Sequence, residues 1–341
     1  MGGGYWRDDD YKRSTRGTDA FKYSRDTLAK PEAEQKVHQM LNPYGLGVRE
    51  SRDSAEHPES NAVMIGLDVT GSMRMVVVAI RDALGNLMDM LTTEKYILDP
   101  QLLFYAVGDA TCDNVPFQVS QFESDNRIND QLSLVVLEGG GGGQDTESYE
   151  LGYFTAARHT SIDCLEKRRR KGYLVSIGDE RAYDKVSRRQ VRALFNEDLQ
   201  ESISFEQSVA EAKEKYHLFH IIPKGSANYD RPALRDFWTR ALGGSQFVFM
   251  LEDPKYTAET IGVAIGMNEG RITLEEGLAK VQKSAGQKAV RVVEKALAEF
   301  AEYAATLPRD TRAASTRKDA KAPDATDKKD QKKDKKSDWK L

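Results

Sequence analysis

The side chains best suited to chemistry sit in one short stretch, where Asp68, Thr70 and Ser72 alternate through Asp68-Val69-Thr70-Gly71-Ser72. A sharp turn can aim all three at one point. One carboxylate with two neutral hydroxyls is hard-oxygen chemistry, suited to Mg²⁺ or a similar cation. An ordinary strand-to-helix turn would use the same residues differently, with Ser72 capping the helix and Asp68 accepting from loop amides. The segments on either side bear on that choice.

Residues 62–67 are an unbroken apolar run, as expected of a central parallel strand buried on both faces. Over 72–91, Val76, Ile80, Ala83, Leu84, Leu87 and Leu91 fall at helical spacing and form one buried stripe. That helix points its amino end at the Asp68 loop, where helix-end amides favour an anion. Residues 101–107 predict a second buried strand, ending in Gly108-Asp109-Ala110-Thr111. Residues 115–121 alternate and contain Pro116, which suits an edge strand. A helix over 126–137 leads to five glycines at 139–143 and then Gln144-Asp145-Thr146-Glu147-Ser148, with a further helix over 146–158. A strand at 173–177 precedes Gly178-Asp179-Glu180. Two charged helices between 185 and 215, a strand at 217–222, a helix at 232–242, a strand at 246–251 and a helix over 254–267 follow. Alternating strands and helices predict an α/β chain with an open, mostly parallel sheet. Asp68, Asp109 and Asp179 each follow a strand, so they line one crevice at the carboxyl edge.

The glycine run is not a phosphate loop, because no Gly-Lys-Ser/Thr follows and the run leaves a helix rather than a strand. It reads as backbone that passes close to a ligand without side chains in the way. His217 and His220 stand three apart in a strand and point to opposite faces, which makes them structural histidines rather than zinc ligands. No Gly-x-Ser-x-Gly elbow supports a serine hydrolase.

Taken in order, Asp68-x-Thr70-x-Ser72, the glycine run before Thr146, and Asp179 after a later strand resemble the metal-ion-dependent adhesion site (MIDAS) of von Willebrand factor A (VWA) domains. That motif opens Asp-x-Ser-x-Ser; Thr70 replaces the first Ser and keeps an hydroxyl. The resemblance covers roughly residues 62–267. It implies a Rossmann-like, doubly wound, mostly parallel sheet with flanking helices. It also implies Mg²⁺ or Mn²⁺ as the ion, with Asp68, Ser72 and Thr146 as ligands and Asp179 acting through water. Thr70 would orient Asp68 or a bound water, or coordinate directly. Thr146 lies three residues beyond the last glycine, so Asp145 competes with it as a direct ligand. With Asp68 the single direct carboxylate, the ion keeps about +1 and an open position. A Glu or Asp from a protein partner fills that position in the family, and a second direct acid would weaken the attraction.

The function implied is a metal-dependent protein–protein interaction module without turnover, of an intracellular bacterial or phage type. Its setting would be a multiprotein assembly such as those with MoxR-type AAA+ ATPases. One alternative is a metal-independent scaffold that uses the same fold and its terminal extensions. Another is an Mg²⁺-dependent phosphohydrolase of the haloacid dehalogenase type, which needs a second Asp where Thr70 stands.

The remaining bounds are broad. At 341 residues there is room for a sizeable core, and a formal charge of −4 makes no case for a nucleic-acid partner. Cys112 and Cys164 build neither a disulfide framework nor a zinc site, which favours a reducing compartment. The first residues lack a signal-peptide core, and no run approaches a membrane span, so the expected setting is cytoplasmic. The expected divisions are a polar arm over 1–60, a VWA domain over 61–270, helices over 271–306 and a charged tail over 307–341. The arm should pack loosely, with one helix over 31–41. The basic run 167–171 reads as a solvated helix end. From Arg309 onward twelve Lys or Arg stand against seven Asp with almost no apolar residue, which predicts disorder.

Overall fold

In the computed structural model the apolar runs around 62–67 and 101–107 form β1 (Asn61–Asp68) and β2 (Pro100–Val107), buried along their whole length. The structure describes residues 4–16, 19, 21–45, 47–140 and 145–309, the side chain of Ser72 excepted. The disorder expected of the tail beyond 309 lies outside the described residues. With β3 (Phe117–Val119), β4 (Gly172–Ile177), β5 (Tyr216–Pro223) and β6 (Val248–Leu251), the two strands build a six-stranded sheet in the order β6-β5-β4-β1-β2-β3. Every pairing is parallel except that of β3, which runs antiparallel to β2 at the edge. Pro116 directly precedes β3, where a missing N–H does no harm.

The helices in chain order are α1 (Asp8–Thr15), α2 (Lys22–Leu28), α3 (Arg74–Thr92), α4 (Arg127–Ser133), α5 (Tyr149–Arg158), α6 (Asp163–Arg168), α7 (Arg188–Phe195), α8 (Phe205–Lys215), α9 (Pro232–Leu242), α10 (Thr257–Asn268) and α11 (Leu274–Ala304). Two cores flank the sheet because strand side chains alternate. Val63, Ile65, Leu67, Leu102, Phe104 and Ala106 face α3, α4, α10 and α11. Met64, Leu103, Tyr105 and Val107 face α5, α7, α8 and α9. The fold is therefore mixed α/β, a mostly parallel sheet with helices on both faces.

Several boundaries differ from the sequence pattern for local reasons. The helix expected over 126–137 stops at Ser133, and the Gln118 side chain takes over as partner of the Val136 backbone, at 2.8 and 2.9 Å. The helix expected from 146 begins at Tyr149, because Thr146 and Glu147 pair with Arg181 and Ala182 instead. The two helices expected beyond 270 are the halves of α11, broken at Gly286 (φ 83°) and started by a Thr273–Glu276 capping box.

The loose arm is corrected. No helix forms over 31–41, only two single 3₁₀ turns, because Leu41 alone of that stretch is buried and there is no apolar stripe to bury. Instead Tyr11, Phe21 and Leu41 enter the core beside α3. Ser24 Oγ accepts from Leu137 N at 2.8 Å, and Arg49–Ser51 pairs in parallel with Thr160–Ile162. The basic run is likewise more than a solvated end. Arg168 reaches Asp53 at 2.8 Å, Lys167 pairs with Asp163 at 2.7 Å, and Arg170 pairs with Glu269. Arm, sheet and terminal helices belong to one compact unit, Met1–Arg309.

The Tyr11 hydroxyl donates to the Arg81 carbonyl of α3. Tyr11→Phe is expected to lower the unfolding free energy by about 1 kcal/mol, the net worth of one hydrogen bond, in urea denaturation. An arm that contributes nothing to stability would leave the midpoint unmoved.

Candidate functional site

The chain leaves β1 through α3 to β2 on one side and returns later to β4 on the other, so strand order reverses at β1. In open sheets of this kind the crevice at that reversal is where ligands bind. Leu67 lies opposite Ile177, which sets Asp68 beside Gly178 and brings Asp179 to the same edge. Asp68 and Asp179 are buried, at 0% and 1% exposed. Asp68 Oδ1 accepts from the Thr70 amide at 2.8 Å and from its hydroxyl at 2.6 Å, and Oδ2 accepts from the Tyr149 hydroxyl at 2.6 Å. Thr70 thus holds Asp68 in place while its own oxygen keeps lone pairs. Asp179 Oδ2 accepts from the Asn228 amide at 3.2 Å. Ser72 lies in the 3₁₀ turn Gly71–Met73 that leads into α3, and its side chain lies outside the described set.

The start of the glycine run passes against the Asp68 loop. Gly139 N donates to Val69 O at 3.1 Å and Gly71 N to Gly140 O at 3.4 Å, with Gly139 at φ 68°. Residues 141–144 lie outside the described set. Beyond them Thr146 and Asp145 diverge. The Asp145 carboxylate is exposed and pairs with Arg231 at 2.9 Å. The Thr146 hydroxyl instead interacts with that of Tyr183. A Cβ on Gly178 would fall 1.6 Å from the Tyr149 hydroxyl, so glycine is what lets that tyrosine reach Asp68.

Next to this loop stands a near copy. Asp109 follows β2 as Asp68 follows β1, and its Oδ1 accepts from the Thr111 amide at 2.8 Å and hydroxyl at 2.6 Å. A tyrosine again supplies a donor: Tyr183 lies 2.9 and 3.0 Å from the Asp109 oxygens. Three glutamates gather around the two loops. Burial pushes Glu147 up to about 10, with Asp68, Glu180, Asp109 and Asp113 adding to the shift. Burial likewise pushes Glu180 up to about 8, helped by Asp68 and Asp179. Glu150 is driven well above its ordinary range, mainly by burial. Asp68 itself rises to about 6 through burial, against the hydrogen bonds from Thr70 and Tyr149 that hold it down, while Asp179 pushes it up.

Carboxyl groups driven towards their neutral forms by burial and mutual repulsion, with hydroxyls beside them, have the donor chemistry of a hard divalent cation, which would relieve both. Buried carboxyl oxygens without a hydrogen-bond partner among the described residues, Glu147 Oε2 and Glu180 Oε2 included, fit the same chemistry. Among the described residues no three carboxylate, imidazole or thiolate groups are placed to hold one ion, so hydroxyls and water would have to complete any shell. His217 and His220 part as expected: His220 bonds Ser176 at 2.7 Å and stacks on Trp238, whereas His217 packs against Tyr173.

The sequence singles out none of Glu147, Glu150, Tyr149 and Tyr183 as a site residue. The repeat of Asp-x-Thr at 68–70 and 109–111 was the available signal, and it points to the second loop. Nothing in the sequence marks the two tyrosines, since their hydroxyls reach the loops through contacts that only the fold creates.

No protein-family model matches this chain, and no protein of curated function matches it in sequence. Solved structures that resemble it include the pilus adhesin SpaC from Lactobacillus rhamnosus GG in its open conformation. That match has a TM-score of 0.43 and 10% identity over 65% of this chain and 31% of the adhesin. Another crystal form of the same adhesin gives 0.42 and 9%, over 65% and 32%. Proximal thread matrix protein 1 from the mussel byssus gives 0.37 and 10%, over 55% of this chain and 43% of that one. The chain thus spans about a third of the adhesin's length, and likenesses of this size carry no functional weight.

Proposed function

We propose that this chain is a cation-dependent protein-binding module of the von Willebrand A type. Asp68, Thr70, Ser72 and Thr146 would hold Mg²⁺ or Mn²⁺, with Asp179 acting through water. The bound ion would supply a positive centre for a Glu or Asp side chain of a protein partner. The observation that carries this reading is the pairing of Asp68 with Thr70 at the strand-order reversal, with Asp179 beside them at the same edge. That arrangement supports an oxygen ligand set at the place where open sheets bind ligands. The chain's own residues have clear parts in it. Thr70 fixes the Asp68 carboxylate, Tyr149 braces its other oxygen, and Gly139 and Gly140 leave the approach free of side chains. Because burial pushes Glu147 and Glu180 towards their neutral forms, an incoming carboxylate meets less repulsion than the residue count implies. Asp145, paired with Arg231, is the weaker claimant for direct coordination.

Thermal unfolding of the wild type and of Asp68→Ala, in EDTA and in millimolar Mg²⁺ or Mn²⁺, tests the proposal. An ion present at a hundred times its dissociation constant adds about 2.7 kcal/mol, a visible rise in Tm that the variant lacks. A wild type unmoved by either ion, together with pulldown partners all retained by Asp68→Ala, would sink the reading in favour of a metal-independent scaffold.

A further inference from the structure

Glu147 and Glu150 each bury a carboxyl oxygen, Oε2 and Oε1 respectively, that has no hydrogen-bond partner among the described residues. The two residues are 2% and 0% exposed, and Ser148 between them ties this turn to the Asp109 loop, its amide donating to the Gly108 carbonyl at 3.0 Å and its Oγ accepting from the Ala110 amide at 2.9 Å. Buried acceptors of this kind ordinarily have a partner. We infer that the Asp109 loop is a second divalent-cation position, separate from Asp68, in which the Asp109 and Glu147 carboxylates and the Thr111 hydroxyl hold a hydrated Mg²⁺ or Mn²⁺.

The loop repeats the Asp68-Thr70 geometry, with the same two hydrogen bonds at the same 2.8 and 2.6 Å. Glu147 feels the charge of both loops, of Asp68 first and then of Asp109 and Asp113. A small hard cation is commonly held by one or two carboxylates and keeps several waters. That agrees with the lack, among the described residues, of three acidic groups placed to hold one ion. Glu150 lies close by, its Oε2 accepting at 3.3 Å from the amide of Tyr183, whose hydroxyl bonds Asp109; burial drives it towards its neutral form, and it does not have to coordinate.

This position does not depend on the Asp68 reading, and one experiment separates the two. Mn²⁺ bound by the full chain at pH 7.5 is counted by electron paramagnetic resonance and titration calorimetry, in the wild type and in Asp68→Ala, Asp109→Asn and Asp68→Ala/Glu147→Gln. Two ions in the wild type, one in each single variant, and at least tenfold weaker binding of the remaining ion in the double variant are expected. If the Asp68 site fails and the second stands, the wild type binds one ion that survives Asp68→Ala and disappears with Asp109→Asn. If the count and affinities are unchanged by Asp109→Asn, or the wild type binds no ion, the inference is overturned. Near-UV circular dichroism checks that Asp109→Asn is folded. Should it not be, the effect of the shape-preserving Glu147→Gln in the Asp68→Ala background decides, and unchanged binding there overturns the inference.

Discussion

Replacing Trp238 by Ala is expected to lower the unfolding free energy by about 3–5 kcal/mol, the range for removing a large buried aromatic side chain. Trp238 is fully buried and stacks on His220 with ring centres 3.7 Å apart. It also meets Tyr149 edge-on at 5.3 Å and Phe205 at 5.9 Å. Its indole N–H donates to the Glu180 carbonyl at 3.0 Å, directly after Asp179. The same side chain therefore supports the core behind α5, α8 and α9 and the loop that carries Asp179. Tyr149, whose hydroxyl braces Asp68, would lose one wall of its pocket. Trp238→Phe should keep most of the packing and cost much less, roughly the stacking area and one hydrogen bond of about 1 kcal/mol. Urea denaturation in EDTA reads both variants. A loss below about 1 kcal/mol for Trp238→Ala would mean that the cavity collapses and that Trp238 does not hold the site loop.

In EDTA the stability of the wild type is expected to fall as pH rises from 6.5 to 8. Glu147 has an ordinary value of 4.5 and is pushed up to about 10 in the folded chain. Between those values it is protonated when folded and ionised when unfolded. The unfolded state then binds fewer protons, so stability declines with pH, by up to about 1.4 kcal/mol per pH unit for this one group. Glu180, raised to about 8, adds to the decline in the same window until pH passes its folded value. The buried histidines act in the opposite direction but lower down. Burial depresses His217 to about 4 and His220 to about 3 from an ordinary 6.5, so their contribution grows with pH only until 6.5. Above that point the acids alone set the slope. Glu147→Gln removes one of them, and in EDTA at pH 8 it is expected to be more stable than the wild type by on the order of 3 kcal/mol. Guanidinium unfolding at pH 6.5, 7.2 and 8 checks this. A wild type whose stability is flat or rises over that range would show that Glu147 is ionised in the folded chain.

How far the fold was legible depended on whether a segment's partners were close in sequence. Apolar runs such as 62–67 and 101–107 are read correctly because a strand buried on both faces needs no particular neighbour to announce itself. The helix over 232–242 forms as the pattern assigns, with Pro232 opening it and Gly243 closing it in the left-handed conformation at φ 83°. The arm misled because its few apolar residues, Tyr11, Phe21 and Leu41, are spaced without period. They are buried against α3 and its surroundings, not against one another. The stretch after Ser133 misled for a related reason, since a distant Gln118 side chain satisfies the Val136 backbone that a helix would otherwise pair internally.

By itself the sequence determined the alternation of strand and helix and the placement of Asp68, Asp109 and Asp179 after strands. Each follows from local pattern, because a parallel strand presents its next residues at the carboxyl edge wherever it sits in the sheet. Only the tertiary structure decided which hydroxyl meets which carboxylate, with Tyr149 on Asp68 and Tyr183 on Asp109. It also decided that Asp145 turns to Arg231 while Thr146 turns to Tyr183. The burial of Glu147 and Glu150 belongs to the same class. These depend on the strand order that sets β1 between β2 and β4, and so on pairings between residues far apart in the chain, which no short window of sequence encodes.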